Sequence, residues 1–196
     1  MIHNFSFNSV VVETFARLDG VLALMDTLDD GIPAVEEKEH SYLERLAKEG
    51  DWEYEDYVAE RDVLNQKFRI WAETFAAYSA TILLYSIVET QLDALAKYVG
   101  EDRHSNLRVG DMAGKGADRA ASYLERVQSI PVMTLAEWDR LKDLQTLRNV
   151  IVHRGGKLGN SLDEQNRLTA CGRSRIARNT SLQVIDSNRR YFSILA

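Results

Sequence analysis

The fold of this chain is decided by residues 134–156, which read TLAEWDRLKDLQTLRNVIVHRGG. Thr134 and Glu137 match a capping box, in which a threonine caps a helix start and a glutamate three residues later reaches back to it. Gly155-Gly156 supply the backbone freedom that helix ends commonly use. Between these signals, apolar residues recur at the spacing of one buried helix face: Leu135, Trp138, Leu141, Leu144, Leu147 and Ile151. The stretch predicts a long amphipathic helix with a strong core stripe.

The same helical periodicity continues through most of the chain, which contains only two prolines, Pro33 and Pro131. A first helix carries an apolar stripe of five residues: Val11, Phe15, Leu18, Leu22 and Met25. The range 51–99 lacks both proline and glycine, and predicts either one very long helix or two helices joined by a kink near 71–75. Helices are predicted over four ranges: 9–29, 34–48, 51–99 and 117–127. The fold class is therefore all-α, a helical bundle with a long core helix.

Two regions differ from this core in composition. Residues 34–70 are rich in acidic side chains and predict an acidic helical extension. After Gly156 the chain turns polar, which predicts a basic loop over 157–180 that includes a short hairpin around 168–176 as one option. For residues 181–196 we predict a strand fragment or a helix that docks on the core. These regions make the C-terminal segment small and irregular.

Length and composition predict one domain spanning residues 1–196, since a chain of this size can bury a core without a disulfide or a metal. The single cysteine, Cys171, cannot form an internal disulfide, and the N-terminus lacks the layout of a secretion signal. Both features predict a cytoplasmic protein. The longest apolar stretch, 75–88, is too short for a bilayer, which needs about 20 residues. No membrane segment is therefore expected.

Charge is distributed unevenly along the chain. The net charge of −6 argues against a general nucleic-acid-binding protein. However, residues 1–139 contain 13 basic and 26 acidic side chains, whereas residues 140–196 contain 11 basic and 4 acidic ones. Such asymmetry indicates an anion-binding face on an acidic body. The alternative is two solvated surfaces without a partner.

Arg148 and His153 place a permanent cation and a titratable imidazole five residues apart in the basic region. Metal-independent RNA cleavage requires deprotonation of the 2′-hydroxyl, stabilisation of the phosphoryl oxygens and protonation of the 5′-oxygen. A histidine, with an ordinary pKa of about 6.5, can act as base or acid, and an arginine can bind two phosphate oxygens at once. Asn149 adds a neutral donor and acceptor. The alternative is a surface arginine and a histidine stabilised by the helix dipole.

The spacing of this pair has a geometric consequence. Five residues along a regular helix separate two side chains by about 140°, so Arg148 and His153 do not share a face. Two arrangements could bring them together. Either the helix unwinds at 152–154, or Arg148 of one chain completes a site with His153 of another in a two-fold dimer.

Residues 147–153, LRNVIVH, resemble the Arg-Asn-x-x-x-His motif of the HEPN superfamily (higher eukaryote and prokaryote nucleotide-binding domains). The resemblance extends to bacterial HEPN proteins of the RiboL-PSP type and covers about residues 75–156. It is carried by three further segments: SIVETQL at 86–92, GADRAASYL at 116–124 and WDRL at 138–141.

This resemblance implies an all-helical, commonly dimeric endoribonuclease that needs no metal and leaves a 2′,3′-cyclic phosphate. Its context would be toxin–antitoxin, phage-defence or RNA-processing systems, with RNA as substrate and a cognate antitoxin as a partner protein. Arg148 and His153 would be the catalytic pair, with Asn149 in support. Other members of the superfamily are non-catalytic RNA-binding or protein-interaction modules, and this alternative stays open.

Further side chains complete the predicted site. Glu89 lies in the most apolar helix, where an unpaired carboxylate is costly to bury, so we expect it either to orient Arg148 or His153 or to face solvent. The segment GDMAGKG at 110–116 is one residue short of a Walker A motif, and the histidines show no metal-ligand spacing. We predict neither a metal nor a cofactor. Four basic residues are expected to contact RNA phosphates: Lys115, Arg119, Arg154 and Lys157.

Overall fold

The structure, a computed structural model, describes residues 2–157, with side chains from residue 8 onwards, and the backbone of two strands nearer the C-terminus. The helices of this part are α1 (Ile2–Glu49), α2 (Tyr54–Gln66), α3 (Glu73–Asp102), α4 (Gly116–Arg126) and α5 (Ala136–Arg154). A six-residue π-helix, Lys67–Ala72, joins α2 to α3, and short 3-10 helices lie at Val109–Asp111 and Val132–Thr134. The predicted all-α class with a long core helix is confirmed.

The two strands form an antiparallel pair, β1 (Leu182–Ile185) and β2 (Tyr191–Ile194), with Leu182 opposite Ile194. Of the two options for the last segment, the strand is therefore the one observed. The basic loop predicted over 157–180, apart from Lys157, and the hairpin predicted around 168–176 lie outside the described residues. No helix that the structure describes is both long and apolar enough to cross a membrane.

The chain divides into two compact units. The first unit comprises Met1–Val21 and Thr81–Asn149, and the second comprises Leu22–Ala80 and Val150–Ala196. The core of the first unit is formed mainly by α3 and α4. Its buried residues are Ala96, Val109, Ala120, Tyr123 and Leu124. Helix α4 buries one face, formed by Ala117, Ala120, Ala121, Tyr123 and Leu124.

Gly100 has a packing role rather than the helix-ending role expected from sequence. Helix α3 continues through it to Asp102. A β-carbon at Gly100 would lie 2.4 Å from the hydroxyl oxygen of Tyr123. The glycine therefore allows the backbone of α3 to approach the fully buried Tyr123 ring of α4.

Helix α1 contradicts the predicted break at 29–33, because it runs without interruption through Pro33. Proline removes one hydrogen bond from a helix, but its fixed φ is itself helical, so a long helix can continue through it at a local cost. The predicted stripe of the first helix is also wrong in part. Phe15 and Leu22 are 62% and 59% exposed.

The start of α5 differs from the predicted capping box, whereas its end follows the prediction. The Thr134 hydroxyl donates to the carbonyl of Pro131 at 2.8 Å instead of capping α5, and Leu135 is exposed. At the other end, the amides of Gly155 and Gly156 donate to carbonyls of the last helical turn, at 3.0 and 3.2 Å. Both glycines have positive φ, which is typical of helix C-termini.

Candidate functional site

Arg148 lies against the ring of Tyr85 within the first unit. Its guanidinium carbon is 5.8 Å from the ring centroid, which is within the range of a cation–π contact. Tyr85 comes from the middle of α3 and is only 2% exposed, whereas Arg148 is half-buried. Helix α5 therefore holds the guanidinium at the edge of the core, with an aromatic face on one side.

The guanidinium of Arg148 has few polar partners. Nη1 donates to the side-chain oxygen of Asn149 at 3.0 Å. Nε is buried and has no hydrogen-bond partner among the described residues. An arginine has five N–H donors and a permanent charge, and no carboxylate of residues 8–157 forms an ion pair with it. Within this part of the chain, the charge of Arg148 is therefore available to an anion.

A chain of polar side chains leads from α4 to Tyr85. Lys142 donates to both carboxylate oxygens of Asp118, at 2.8 and 2.9 Å, and also to the amide oxygen of Gln145. The side chain of Gln145 in turn acts on Tyr85 and lowers the pKa of its hydroxyl group. An interaction that lowers the pKa of a phenol is one donated to its oxygen, so the amide N–H of Gln145 is the donor towards Tyr85.

The electrostatic surroundings keep the Tyr85 hydroxyl neutral. Burial raises the pKa of Tyr85, and the Glu89 carboxylate raises it further. The hydrogen bond from Gln145 acts in the opposite direction and lowers this pKa by stabilising the phenolate. The uncharged phenol is therefore the form that supports Arg148 at physiological pH.

Glu89 lies at the amino end of α4. Its carboxylate approaches Gly116 so closely that a β-carbon on Gly116 would be 1.8 Å from Oε1. A helix N-terminus favours negative charge, which gives this half-buried carboxylate a stabilising environment. The expected contact with Arg148 is not formed, since no ion pair joins the two side chains in the described part of the chain. Open solvent is not its environment either.

The two basic residues predicted on α4 occupy different environments in the first unit. Lys115 is exposed and directly precedes the helix. Arg119 is half-buried, and its Nε lacks a hydrogen-bond partner among the described residues. The structure describes no contact between either side chain and Arg148.

In the second unit, three predicted residues cluster at the carboxyl end of α5. His153, Arg154 and Lys157 are all exposed. His153 and Arg154 occupy the last helical turn, where the helix dipole favours positive charge. Since α5 remains helical through Arg154, the expectation that it unwinds at 152–154 is wrong.

Sequence analysis missed Tyr85, Asp118, Lys142 and Gln145. The position of Tyr85 one turn before Glu89 in the apolar helix was an available signal. Asp118 lies in the segment GADRAASYL but had no role assigned to it, and Lys142 and Gln145 lie in none of the segments that carry the resemblance. Only the packing of α4 and α5 brings these three residues together. The described residues contain no group of histidine, cysteine, aspartate and glutamate side chains that could hold a metal ion.

The first unit also contains a cleft of about 570 Å³ at the carboxyl end of α3. Its lining includes basic and acidic side chains above the buried Tyr123: Lys97, Glu101, His104, Arg108 and Asp111. None of the predicted site residues lines it. The cleft is therefore distinct from the surroundings of Arg148.

Comparison of the chain with protein-family models, with curated proteins and with solved structures gives no match. The resemblance to the HEPN superfamily therefore rests on the motif residues themselves.

Proposed function

We propose that the protein is a metal-independent endoribonuclease of the HEPN type, in which Arg148 binds the scissile phosphate and His153 transfers protons. The observation that carries the proposal is the state of Arg148. Its half-buried guanidinium packs on Tyr85 and has no acidic partner among the described residues. Preorganised, uncompensated charge of this kind stabilises the extra negative charge of a phosphoryl transition state.

The proposed reaction is a transesterification that His153 and Arg148 divide between them. The imidazole accepts the proton of the 2′-hydroxyl, and the 2′-oxygen attacks the adjacent phosphorus. The bond from phosphorus to the 5′-oxygen breaks, and that oxygen takes up the proton that the protonated imidazole gives back, which leaves a 2′,3′-cyclic phosphate and a neutral His153. Throughout the step, Arg148 binds the non-bridging oxygens, which its planar guanidinium matches in pairs.

In this proposal, the active site is built by two chains. Because α5 remains helical through Arg154, Arg148 of one chain would act with His153 of the partner subunit, as a two-fold axis allows. Lys115, Arg119, Arg154 and Lys157 would contact flanking phosphates of a bound RNA. The toxin–antitoxin or phage-defence context, with an antitoxin as partner, is part of the same proposal and comes from the resemblance.

Cleavage of labelled RNA by Arg148→Ala and His153→Ala tests the enzyme proposal. Loss of the histidine should lower the rate about 10²- to 10⁴-fold, as is usual for general acid–base groups. Arg140→Ala, at an exposed position on the same helix, is the matched control and should cleave at the parent rate. Activity should survive strong chelation. If both variants cleave RNA as fast as the parent, the enzyme proposal is wrong.

Mixing the two inactive variants tests whether two chains share the site. A dimer of one Arg148→Ala chain and one His153→Ala chain keeps one site in which both residues are intact. An equal mixture should therefore recover about a quarter of the parent activity, because half of the dimers are mixed and each has one of two sites. No recovery would contradict a site shared between chains.

A second candidate function is a non-catalytic module that binds RNA or a protein through the same basic end. The observation that favours it is the regular course of α5, which places the Arg148 and His153 side chains on different helix faces. For such a module, His153→Ala would leave binding intact, whereas Arg154→Glu with Lys157→Glu would abolish it. An RNA-binding assay over a series of salt concentrations separates the two partners, because a module directed only at a protein should show no RNA signal at any salt concentration.

A further inference from the structure

Arg148 needs a support that fixes its orientation. An arginine side chain is long and flexible, and a guanidinium that binds a ligand pays less ordering entropy if it is already held in place. Within the first unit, the described contacts that hold it are the Tyr85 ring at 5.8 Å and the Asn149 amide oxygen at 3.0 Å. Asn149 is its sequence neighbour on the same helix. Tyr85 is therefore the contact that ties Arg148 to another helix.

The Tyr85 ring is in turn held at its far end. The side chain of Gln145 acts on the Tyr85 hydroxyl group, whose pKa it lowers as a hydrogen-bond donor. The amide oxygen of Gln145 accepts from Lys142, and Lys142 donates to both carboxylate oxygens of Asp118. This chain connects α4, α5 and α3. Lys142 makes no described contact with Arg148 itself. Lys142 pairs with the Asp118 carboxylate, whereas Arg148 has no acidic partner among the described residues.

A second tyrosine–glutamine pair in the same unit provides a comparison. The Tyr123 hydroxyl donates to the carbonyl of Leu107 at 2.8 Å and accepts from Gln128 at 2.9 Å. It is equally buried, but it supports the loop after α3 and makes no described contact with a cation. Tyr123 and Gln128 therefore combine the same two side-chain types as Tyr85 and Gln145, but no guanidinium packs on the Tyr123 ring among the described residues.

We propose that Tyr85 is a positioning residue for Arg148, and that Asp118, Lys142 and Gln145 fix its ring so that the guanidinium presents its free N–H groups to an RNA phosphate. This inference rests on the proposed function for its ligand. It adds that the phosphate affinity of Arg148 depends on side chains that never touch the RNA.

The first test measures binding of a fluorescein-labelled single-stranded RNA by anisotropy over a series of salt concentrations. Removing one phosphate contact lowers the slope of log affinity against log salt by about 0.7 for single strands. Tyr85→Leu and Arg148→Ala should each lower the slope by this amount and weaken binding about tenfold. The double variant should be no weaker than Arg148→Ala alone, because both changes remove the same contact. Tyr85→Phe, which keeps the ring, should lose less.

Tyr123→Phe and Tyr123→Leu are the matched controls, since they remove the same groups at a comparably buried position without changing the salt slope. All variants are first compared by circular dichroism and denaturation to establish that they fold. If Tyr85→Leu is folded and keeps the parent slope, or if its loss adds fully to that of Arg148→Ala, the positioning role is wrong.

A second readout needs no RNA and separates this inference from the proposed function. The Nε–Hε resonance of Arg148 in a nitrogen-15 NMR spectrum reports the ring current of Tyr85 and the order of the guanidinium. Tyr85→Leu should shift and weaken that resonance, whereas Tyr123→Leu should not. Should the parent fail to bind RNA, the proposed function fails while this resonance still decides whether Tyr85 orders Arg148. An unchanged resonance in Tyr85→Leu would overturn the inference.

Discussion

Gly156 lies directly against the hydroxyl group of Tyr78. A β-carbon at Gly156 would be 1.7 Å from the hydroxyl oxygen and 2.4 Å from the ring carbon that bears it. The backbone of Gly156 also has φ +81°. Its neighbour Gly155 has φ +58°, but nothing lies within 4 Å of the place a β-carbon would occupy. An alanine at Gly155 would therefore meet only an unfavourable backbone conformation, whereas an alanine at Gly156 would also clash with Tyr78.

This difference predicts unequal effects of two alanine substitutions. Gly155→Ala should cost about 1–2 kcal/mol of unfolding free energy, the cost of a left-handed conformation for a residue with a β-carbon. Gly156→Ala should cost roughly 1–3 kcal/mol more, because the rigid Tyr78 ring must also move. Urea denaturation of both variants measures the difference. Equal losses would show that the contact with Tyr78 does not constrain this position.

The continuity of α1 through Pro33 predicts a stabilising substitution. A proline inside a helix costs up to about 3 kcal/mol through its missing hydrogen bond and its clash with the preceding turn. Pro33→Ala should therefore raise the free energy of unfolding and the midpoint of thermal denaturation. Gly31→Ala is the companion variant. It should add about 0.5–1 kcal/mol, because Gly31 is helical and open space surrounds it.

The outcome for Pro33→Ala distinguishes two descriptions of this segment. A gain in stability agrees with one helix from Ile2 to Glu49. A loss of stability would agree instead with the turn at 29–33 that the sequence predicts, since a proline is favourable in a turn.

Helices were predictable from this sequence where a dense apolar pattern and a tertiary partner coincide. Helix α4 follows its pattern closely because every apolar position from Ala117 to Leu124 is buried. Leu135 continues the stripe of α5 in sequence but is 53% exposed, because α5 begins only at Ala136. Pro33 shows the complementary limit, since a local breaking signal is weaker than the helical tendency of the residues around it.

Within the candidate site, the sequence points only to the charged residues of the motif and not to the residues that support them. The sequence predicts Arg148 and His153 through the spacing of a motif that they resemble, and their catalytic role stays a prediction. The support of Arg148 is formed by residues from three helices, and their spacing in sequence, Tyr85 to Gln145 for example, has no periodicity that could reveal it. Glu89 illustrates the same limit. Its burial cost was foreseen, but the amino end of α4 that relieves it depends on tertiary packing.

Glu73 predicts a pH dependence of stability. Burial raises the pKa of Glu73 above its ordinary value, Glu36 and Asp29 raise it further, and Arg69 opposes the shift. When the pKa of a carboxyl group is higher in the folded than in the unfolded protein, the group favours the folded state at a pH below its unfolded-state pKa. This contribution is lost as the pH rises through the folded-state pKa. At neutral pH the charged form is therefore unfavourable.

Glu73→Gln should consequently be more stable than the parent at pH 7, by no more than about 0.5 kcal/mol for so exposed a group. This gain in stability should vanish as the pH falls below the ordinary pKa of a glutamate carboxyl group. Glu13→Gln is the control, because it removes the partner of Arg17 at 2.6 Å and should bring no such gain in stability at pH 7. Denaturation curves at pH 7 and pH 4 provide the comparison. A constant difference between parent and Glu73→Gln would rule out the shift.

Gln91 and Gln128 predict opposite effects of the same substitution. Both are buried, at 7% and 5% exposure. The side-chain oxygen of Gln91 has no hydrogen-bond partner among the described residues, whereas the amide nitrogen of Gln128 donates to Tyr123 at 2.9 Å. Replacing an unsatisfied buried polar group by an apolar one of similar shape is neutral or stabilising, and removing a satisfied one leaves its partner unpaired.

Gln91→Leu should therefore leave stability unchanged or raise it by up to about 1 kcal/mol, and Gln128→Leu should lower it by about 1–3 kcal/mol. Urea denaturation under identical conditions measures both values. A large loss for Gln91→Leu would mean that its side-chain oxygen is satisfied in solution, by water or by a residue beyond those described. In that case removing this oxygen would bring no gain in stability, and Gln91→Leu would resemble Gln128→Leu.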